Sequence, residues 1–282
     1  MSNIRIKLSN NKYFFYIYKN FKKVCRLFRK IKIGLMRSFS FFYWYIVKRK
    51  KLYNYLKIKH GIENIIPYKV LSWQIGYKYF LGKCYGKNIF IKQGGKFNLV
   101  RREVDSIKKL SCGRNINKHY PVIVTFDIEE PFKFIALEFI KGNSLKKIIR
   151  KELLSEKDKK SIILQMFQIM KQLKSKEMIH MDIRPDNFIV TKSHSEKIFI
   201  VLIDFTFSML SRNDKLYEIE RNKKNKAILF NLGSELNPEP LHWDDAYSFL
   251  LIFKQIDKEF KKKYPKMWRI INENIGRLYF RY

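Results

Sequence analysis

Acidic side chains are scarce in this chain. Only 25 Asp and Glu stand against 59 Lys and Arg in 282 residues, a formal net charge of +34. The first sixty residues contain no acid, and Glu63 is the first. A field of that sign attracts polyanions: nucleic acid, anionic lipid headgroups or phosphorylated glycans. A lysine-rich composition bias would spread its charge evenly, whereas 17 Lys and Arg crowd into residues 1–60. Cysteine is nearly missing too. Cys25, Cys84 and Cys112 are odd in number and scattered, with no C-x-x-C pair. Neither a disulfide framework nor a thiolate zinc site is suggested, and a reducing cytoplasm is the expected compartment. Long apolar runs are lacking. The most apolar, Phe39 to Val47, is under half of the ~20 residues a spanning helix needs, and Arg37 and Lys48 bracket it. No transmembrane helix is expected. No secretory leader of ordinary form is expected either, because charges and aromatics mix from the start and no separate apolar stretch appears.

What is present suits a globular protein. The hydrophobic content is 46%, and the length allows one large domain or two lobes. Residues 1–64 read as a basic, aromatic extension. Val24, Leu27, Phe28, Ile31 and Leu35 share one helical face, with Lys22, Lys23, Arg26, Arg29 and Lys30 largely elsewhere around it. Phe41 to Tyr45 is an aromatic cluster followed by Lys48 to Lys51. Three readings fit: an arm lying on an anionic membrane surface, a face packed on the main domain, or stacking on single-stranded nucleic acid.

The chain then turns strand-like from Tyr68 to Gln93, with a turn at Tyr85–Asn88 and an apolar return ending at Lys92. Taken alone, Lys92 reads as an edge-strand lysine facing water. Gly94-Gly95 breaks the pattern, and a helix from Leu99 to Leu110 carries Glu103, whose plain reading is a surface pair. Two further strands, Tyr120–Phe126 and Phe132–Phe139, lead to a turn at Lys141-Gly142-Asn143, where a lobe boundary is expected. Beyond it the pattern is helical. Ser144 caps a short helix to Arg150, and Glu156–Lys174 buries a long one. Residues 211–233 lack periodicity. Trp243–Phe253 reads as a helix opening on Asp244-Asp245, and the last thirty residues read as closing helices.

Between the long helix and the aperiodic stretch lie three acceptors: Asp182, Asn187 five residues on, and Asp204 at the end of the run Ile198–Ile203. Two carboxylates and an amide so spaced can hold Mg²⁺ and a phosphate-bearing ligand between them.

The order of these pieces resembles the protein-kinase-like superfamily over roughly residues 68–255. His180-Met181-Asp182, with Asn187 following, is similar to its catalytic loop. Asp204-Phe205-Thr206 is similar to D-F-G, Lys92 to the lysine of V-A-I-K, Glu103 to its helix partner, and Asp245 to the aspartate of D-x-W-S. The resemblance implies an α+β, two-lobed fold: a small, mainly antiparallel β lobe with one helix over residues 65–140, and a larger, mainly α lobe over 141–282, beside the 1–64 extension. It implies an ATP- and Mg²⁺-dependent kinase acting on an alcohol group. Asp182 would align the attacking hydroxyl, Asn187 and Asp204 would hold the metal, and Arg184 would neutralise the transferred group. Lys92, fixed by Glu103, would pair with the phosphates. The backbone of Glu138 to Ile140 would meet the adenine, and His180 would be structural.

Departures colour the expectation. Gly76, Gly82 and Gly86 do not form G-x-G-x-x-G, Met181 replaces the arginine of H-R-D, Thr206 replaces the glycine of D-F-G, and Glu239 to Asp245 is short. These favour a sugar kinase like those of lipopolysaccharide cores, acting on a glycan or glycolipid acceptor at the cytoplasmic face of the membrane. A protein serine/threonine kinase and a non-catalytic pseudokinase scaffold are the alternatives. A monomer is expected, and nucleic acid is not the expected partner.

Overall fold

The computed structural model describes residues 41–73, 77–94, 98–112, 118–129, 131–152, 154–192, 197–210, 229–230, 232–277 and 279–281, with scattered positions between 21 and 39. Residues 1–20, most of the arm's basic face, Gly76, Gly95 and residues 211–228 lie outside that set.

The small lobe is a five-stranded antiparallel sheet of β1 (Ile62–Tyr68), β2 (Tyr77–Cys84), β3 (Lys87–Gly94), β4 (Ile123–Asp127) and β5 (Phe134–Glu138), in the order β1-β2-β3-β5-β4. Tyr85 and Gly86 both have positive φ, 48° and 76°. This gives the two-residue turn whose twist suits a hairpin, and it sets Cys84 opposite Lys87. The expected strand start at Tyr68 missed β1. That strand is an edge, bulged between Glu63 and Ile66, with Pro67 opposite Phe80. Proline and polar residues are tolerated at such an edge, so the alternation that marks inner strands is missing.

The two faces of the sheet bury different partners. Phe80, Cys84, Ile89, Ile91, Phe134 and Ala136 pack with Trp44, Leu52 and Leu56. These last three come from a π-helical turn (Trp44–Lys48) and α1 (Arg49–His60). Trp44 is 2% exposed, edge-on to Trp73 and 5.1 Å from Phe80. The extension therefore reaches into the lobe's core, and a boundary at residue 64 falls inside β1. On the opposite face α2 (Leu99–Ser111) brings Val104 and Ile107 to Ile135 and Leu137. Earlier in the chain, Val24, Phe28 and Leu35 are helical and exposed.

Gly142 carries the chain into the large lobe. A β-carbon there would collide with the Val190 carbonyl oxygen, so only glycine passes. Next come β6 (Asn143–Ser144), α3 (Leu145–Arg150) and α4 (Glu156–Ser175). Ser144 and Ser155 cap the two helices, accepting from Lys147 N–H and Asp158 N–H. As their spacing requires, Ile162, Ile163, Met166, Phe167, Met170 and Leu173 are all buried. β7 (Phe188–Lys192) and β8 (Ile198–Leu202) form an antiparallel sheet with β6 and frame the acceptor loop. After β9 (His242–Asp244) come the buried α5 (Asp245–Ile256), then α6 (Phe260–Lys263), α7 (Pro265–Asn274) and β10 (Tyr279–Arg281). The chain end differs from the expected helices: β10 pairs with β9, and Phe280 stacks on Trp243. Among the described residues no helix is long and apolar enough to cross a membrane.

Candidate active site

β3 and α2 bring the first pair together. Lys92 and Glu103 are 7% and 0% exposed. Lys92 Nζ donates to both Glu103 carboxylate oxygens, at 2.8 and 3.0 Å. The same ammonium donates to Asp204 Oδ1 at 2.7 Å. Burial works against its charge, but Asp204 and Glu103 outweigh that and hold its pKa well above the usual lysine range. Glu103 is raised by burial, which Lys92 opposes. Asp204 would rise through burial, yet Lys92 holds it near about 2. The plain reading of Lys92 as a water-facing edge lysine is overturned, because β3 lies inside the sheet and the side chain is sealed in.

Asp204 begins a 3₁₀ turn, Phe205–Phe207, with a φ of 69°. Its side chain remains 41% exposed to the cleft. Thr206 Oγ1 lies 2.8 Å from Asp204 Oδ1, 3.1 Å from Glu103 Oε2 and 3.2 Å from Lys92 Nζ. One hydroxyl thus stands at the centre of the three charged groups. Sequence reasoning noted Thr206 only as a replaced glycine; its place right after Asp204-Phe205 was the available signal.

The loop between α4 and β7 holds the second half. Asn187 Nδ2 donates to the main-chain oxygen and to Oδ2 of Asp182, both at 2.8 Å. Gly233 N–H donates to Asp182 Oδ1 at 2.7 Å. Burial raises the Asp182 pKa, the Gly233 N–H opposes it, and the charge of Asp204 pushes it further up. Gly233 closes the stretch read as aperiodic, so no sequence signal marked it. Arg184 turns to Asp186, with Nη2 2.9 Å from Oδ2.

Two buried groups set the loop from beneath. Asp245 accepts His180 N–H at 2.6 Å and Met181 N–H at 3.2 Å. Met181 itself has a φ of 65°, so this anchor fixes a strained backbone position. The His180 ring sits edge-on to Phe205, its Nε2 3.2 Å from the Ile203 carbonyl oxygen and its Nδ1 3.3 Å from Asp182 N–H. A neutral ring, donating from Nε2 and accepting at Nδ1, satisfies both, and burial lowers its pKa to about 4.

Glu138 ends β5 with its N–H on the Val122 carbonyl, and Phe139 N–H reaches the Asn88 carbonyl. Ile140 follows on the crossover to the large lobe, half-buried. The roof of the cleft is aromatic: Tyr77 stacks on Tyr79, and Tyr79 on Phe90. The Tyr77 ring lies 5.9 Å from Lys92 Nζ. Gly82 is inside β2 against β1, and Gly86 is in the hairpin turn. Neither forms a loop over the cleft.

Hard oxygen donors and a braced ammonium suit Mg²⁺ and phosphate. Asn187 commits its amide nitrogen to Asp182 and leaves its oxygen for a cation. Asp204 keeps an exposed edge. Among the described residues no cluster of three or more His, Cys, Asp or Glu is set to hold a metal. Mg²⁺ does not need one, because phosphates and water supply most of its shell.

A β-rich lobe bearing a lysine–glutamate pair, set over a helical lobe bearing Asp182, Asn187 and Asp204, defines a protein-kinase-like fold. A model of the protein kinase domain matches residues 82–224. The chain belongs to that family, whose chemistry uses ATP and Mg²⁺. A probable serine/threonine-protein kinase of Dictyostelium discoideum is 30% identical over 177 residues, covering 57% of this chain and 26% of that protein. CDPK-related kinase 4 of Arabidopsis thaliana is 31% identical over 118 residues, covering 41% and 19%. The chain thus spans about a quarter or less of the length of these relatives.

Proposed function

We propose that this chain is an ATP- and Mg²⁺-dependent phosphotransferase whose acceptor is a serine or threonine hydroxyl of a protein. The observation that carries it is the assembled set of Lys92, Glu103 and Asp204 beside Asp182 and Asn187. The names of the matched relatives support the protein acceptor. That reading is preferred to the sugar kinase expected from the departures, because the matched family is the protein kinase domain and a matched relative is named a serine/threonine-protein kinase.

When bound, Mg²⁺–ATP supplies the phosphoryl group and the metal's charge. Lys92 would hold phosphate oxygens, with Glu103 fixing its direction. Asp204 and Asn187 would hold the cation. Asp182 would align the acceptor hydroxyl and receive its proton at Oδ1 or Oδ2. The backbone at Glu138 and Ile140 would meet the adenine edge. Positioning dominates in such chemistry, and this site is already tied together.

A second reading is favoured by one observation. Phe39, Phe42, Tyr43, Ile46 and Val47 are exposed beside Lys48–Lys51. Such a surface suits an anionic membrane and would bring the site to a membrane-linked sugar hydroxyl.

The test is transfer of labelled phosphate from Mg²⁺–ATP by the full chain to protein and to lipid-linked glycan fractions. Label on serine or threonine, lost in Asp182→Asn by at least about a hundredfold, is the expected result. Label confined to the glycan fraction moves the assignment to the second reading. ATP bound but never turned over would leave a non-catalytic scaffold.

A further inference from the structure

A cavity of about 240 Å³ opens beside the acceptor loop, lined by Lys146, Arg150, Arg184, Asp186, Gly233 and Glu235 among others. Gly233 ties it to the site, since the same residue's N–H sits on Asp182 Oδ1. Arg184 and Asp186 belong to the loop that presents Asp182. A group seated here lies next to the hydroxyl that Asp182 would align.

The charge of the wall is uneven. Asp186 Oδ2 accepts from Lys146 at 2.7 Å and from Arg184 Nη2 at 2.9 Å. One carboxylate oxygen is shared by two cations. Burial would raise the Asp186 pKa, but Lys146 and Arg184 outweigh it and lower it. Arg150 lies four residues after Lys146 on α3 and adds a third cation on the same helical face. Glu235, an exposed residue, is the other acid. Asp186 is thus engaged twice and offers little to a further cation.

We infer that this cavity is an acceptor subsite for an anionic group, a carboxylate or a phosphomonoester on a protein segment near its serine or threonine. The inference rests on the phosphotransferase reading and names its substrate class. Lys146 and Arg184 donate to the ligand's oxygens from one wall, while Arg150 attracts it from the rim. Acceptors with lysine or arginine at that place meet three cations against two acids, one of which is already paired twice, and are disfavoured.

The experiment uses the full chain with Mg²⁺–ATP and three peptide sets that differ only beside the serine: glutamate or phosphoserine, alanine, and lysine. Acidic and phosphorylated peptides are expected to show about five- to tenfold higher kcat/KM than the alanine set, the size of one or two half-exposed charge contacts. Lysine peptides fall below it. Arg150→Glu should erase or invert that ranking while leaving the rate on alanine peptides unchanged, and Arg150→Gln should fall between. Equal rates on all three sets, with autophosphorylation intact, overturn the subsite alone. An Arg150→Glu loss of the same size on every peptide also overturns it. No phosphate on any peptide or on the chain itself overturns the phosphotransferase reading, and the subsite with it.

Discussion

Thr206 carries more than its place in the motif promised. It is 4% exposed, and its hydroxyl contacts the acids on either side of Lys92. A glycine there leaves the backbone free to turn over; a threonine joined to Glu103, Lys92 and Asp204 holds the lobes in one relation. Thr206→Val keeps the shape and removes the hydroxyl. Hydrogen bonds to charged groups contribute about 2 kcal/mol, so the variant should lose about that much in urea unfolding, with phosphotransfer reduced about tenfold. Thr206→Ser should recover most of both. If valine matches wild type in both assays, the hydroxyl is a bystander. At the same scale Met181 stands where an arginine would answer a phosphorylated loop, so control by that route is not expected.

At the scale of elements, the π-turn and α1 divide their side chains between two roles. Trp44, Leu52 and Leu56 anchor them on the sheet. Phe42 and Ile46 are 61% and 75% exposed, with Phe42 meeting the neighbouring Phe41 ring edge-on. Because the inward residues fix the element, the outward ones can be changed without unfolding it. Vesicles containing phosphatidylserine should bind the full chain and pure phosphatidylcholine vesicles should not, since Lys and Arg near the surface each add about 1 kcal/mol. Phe42→Ser with Ile46→Ser should weaken binding at least about tenfold, and high salt should weaken it further. Equal affinity for both vesicle types would remove the electrostatic part of the idea.

Across the whole molecule, stability depends on two buried groups that titrate in opposite senses. Burial keeps His180 neutral down to about 4, whereas in the unfolded chain it takes its proton near about 6.5. Its contribution is therefore lost as pH falls through that window, about 3 kcal/mol in all. Asp245 is raised by burial to about 7 despite its two N–H donors. The native state binds that proton where the unfolded chain, near about 4, does not, so its contribution falls as pH rises from about 4 to 7. The two slopes offset each other. Asp245→Asn removes one of them. Urea midpoints followed from pH 7 to pH 5 should decline more steeply with acid in the variant than in wild type; a shallower decline would show that Asp245 does not hold its proton in the folded protein.

Much of this protein is legible along the chain. Periodicity located α2, α4 and the β2–β3 hairpin, because one-sided burial leaves a repeat of 3.6 or 2 in the residues themselves. Lys92, Glu103, Asp182, Asn187, Asp204 and Asp245 could be picked out because their order along the chain resembles that of the protein kinase motifs. β1 and β10 left no such trace: β1 is an edge strand broken by a bulge and a proline, and β10 pairs with a short strand far back in the sequence. The same holds for Gly233 on Asp182, for the hydroxyl of Thr206 among three charges, and for Lys146 beside Asp186. Each is a contact between segments whose meeting depends on how the lobes and loops close, and only the tertiary structure decides that.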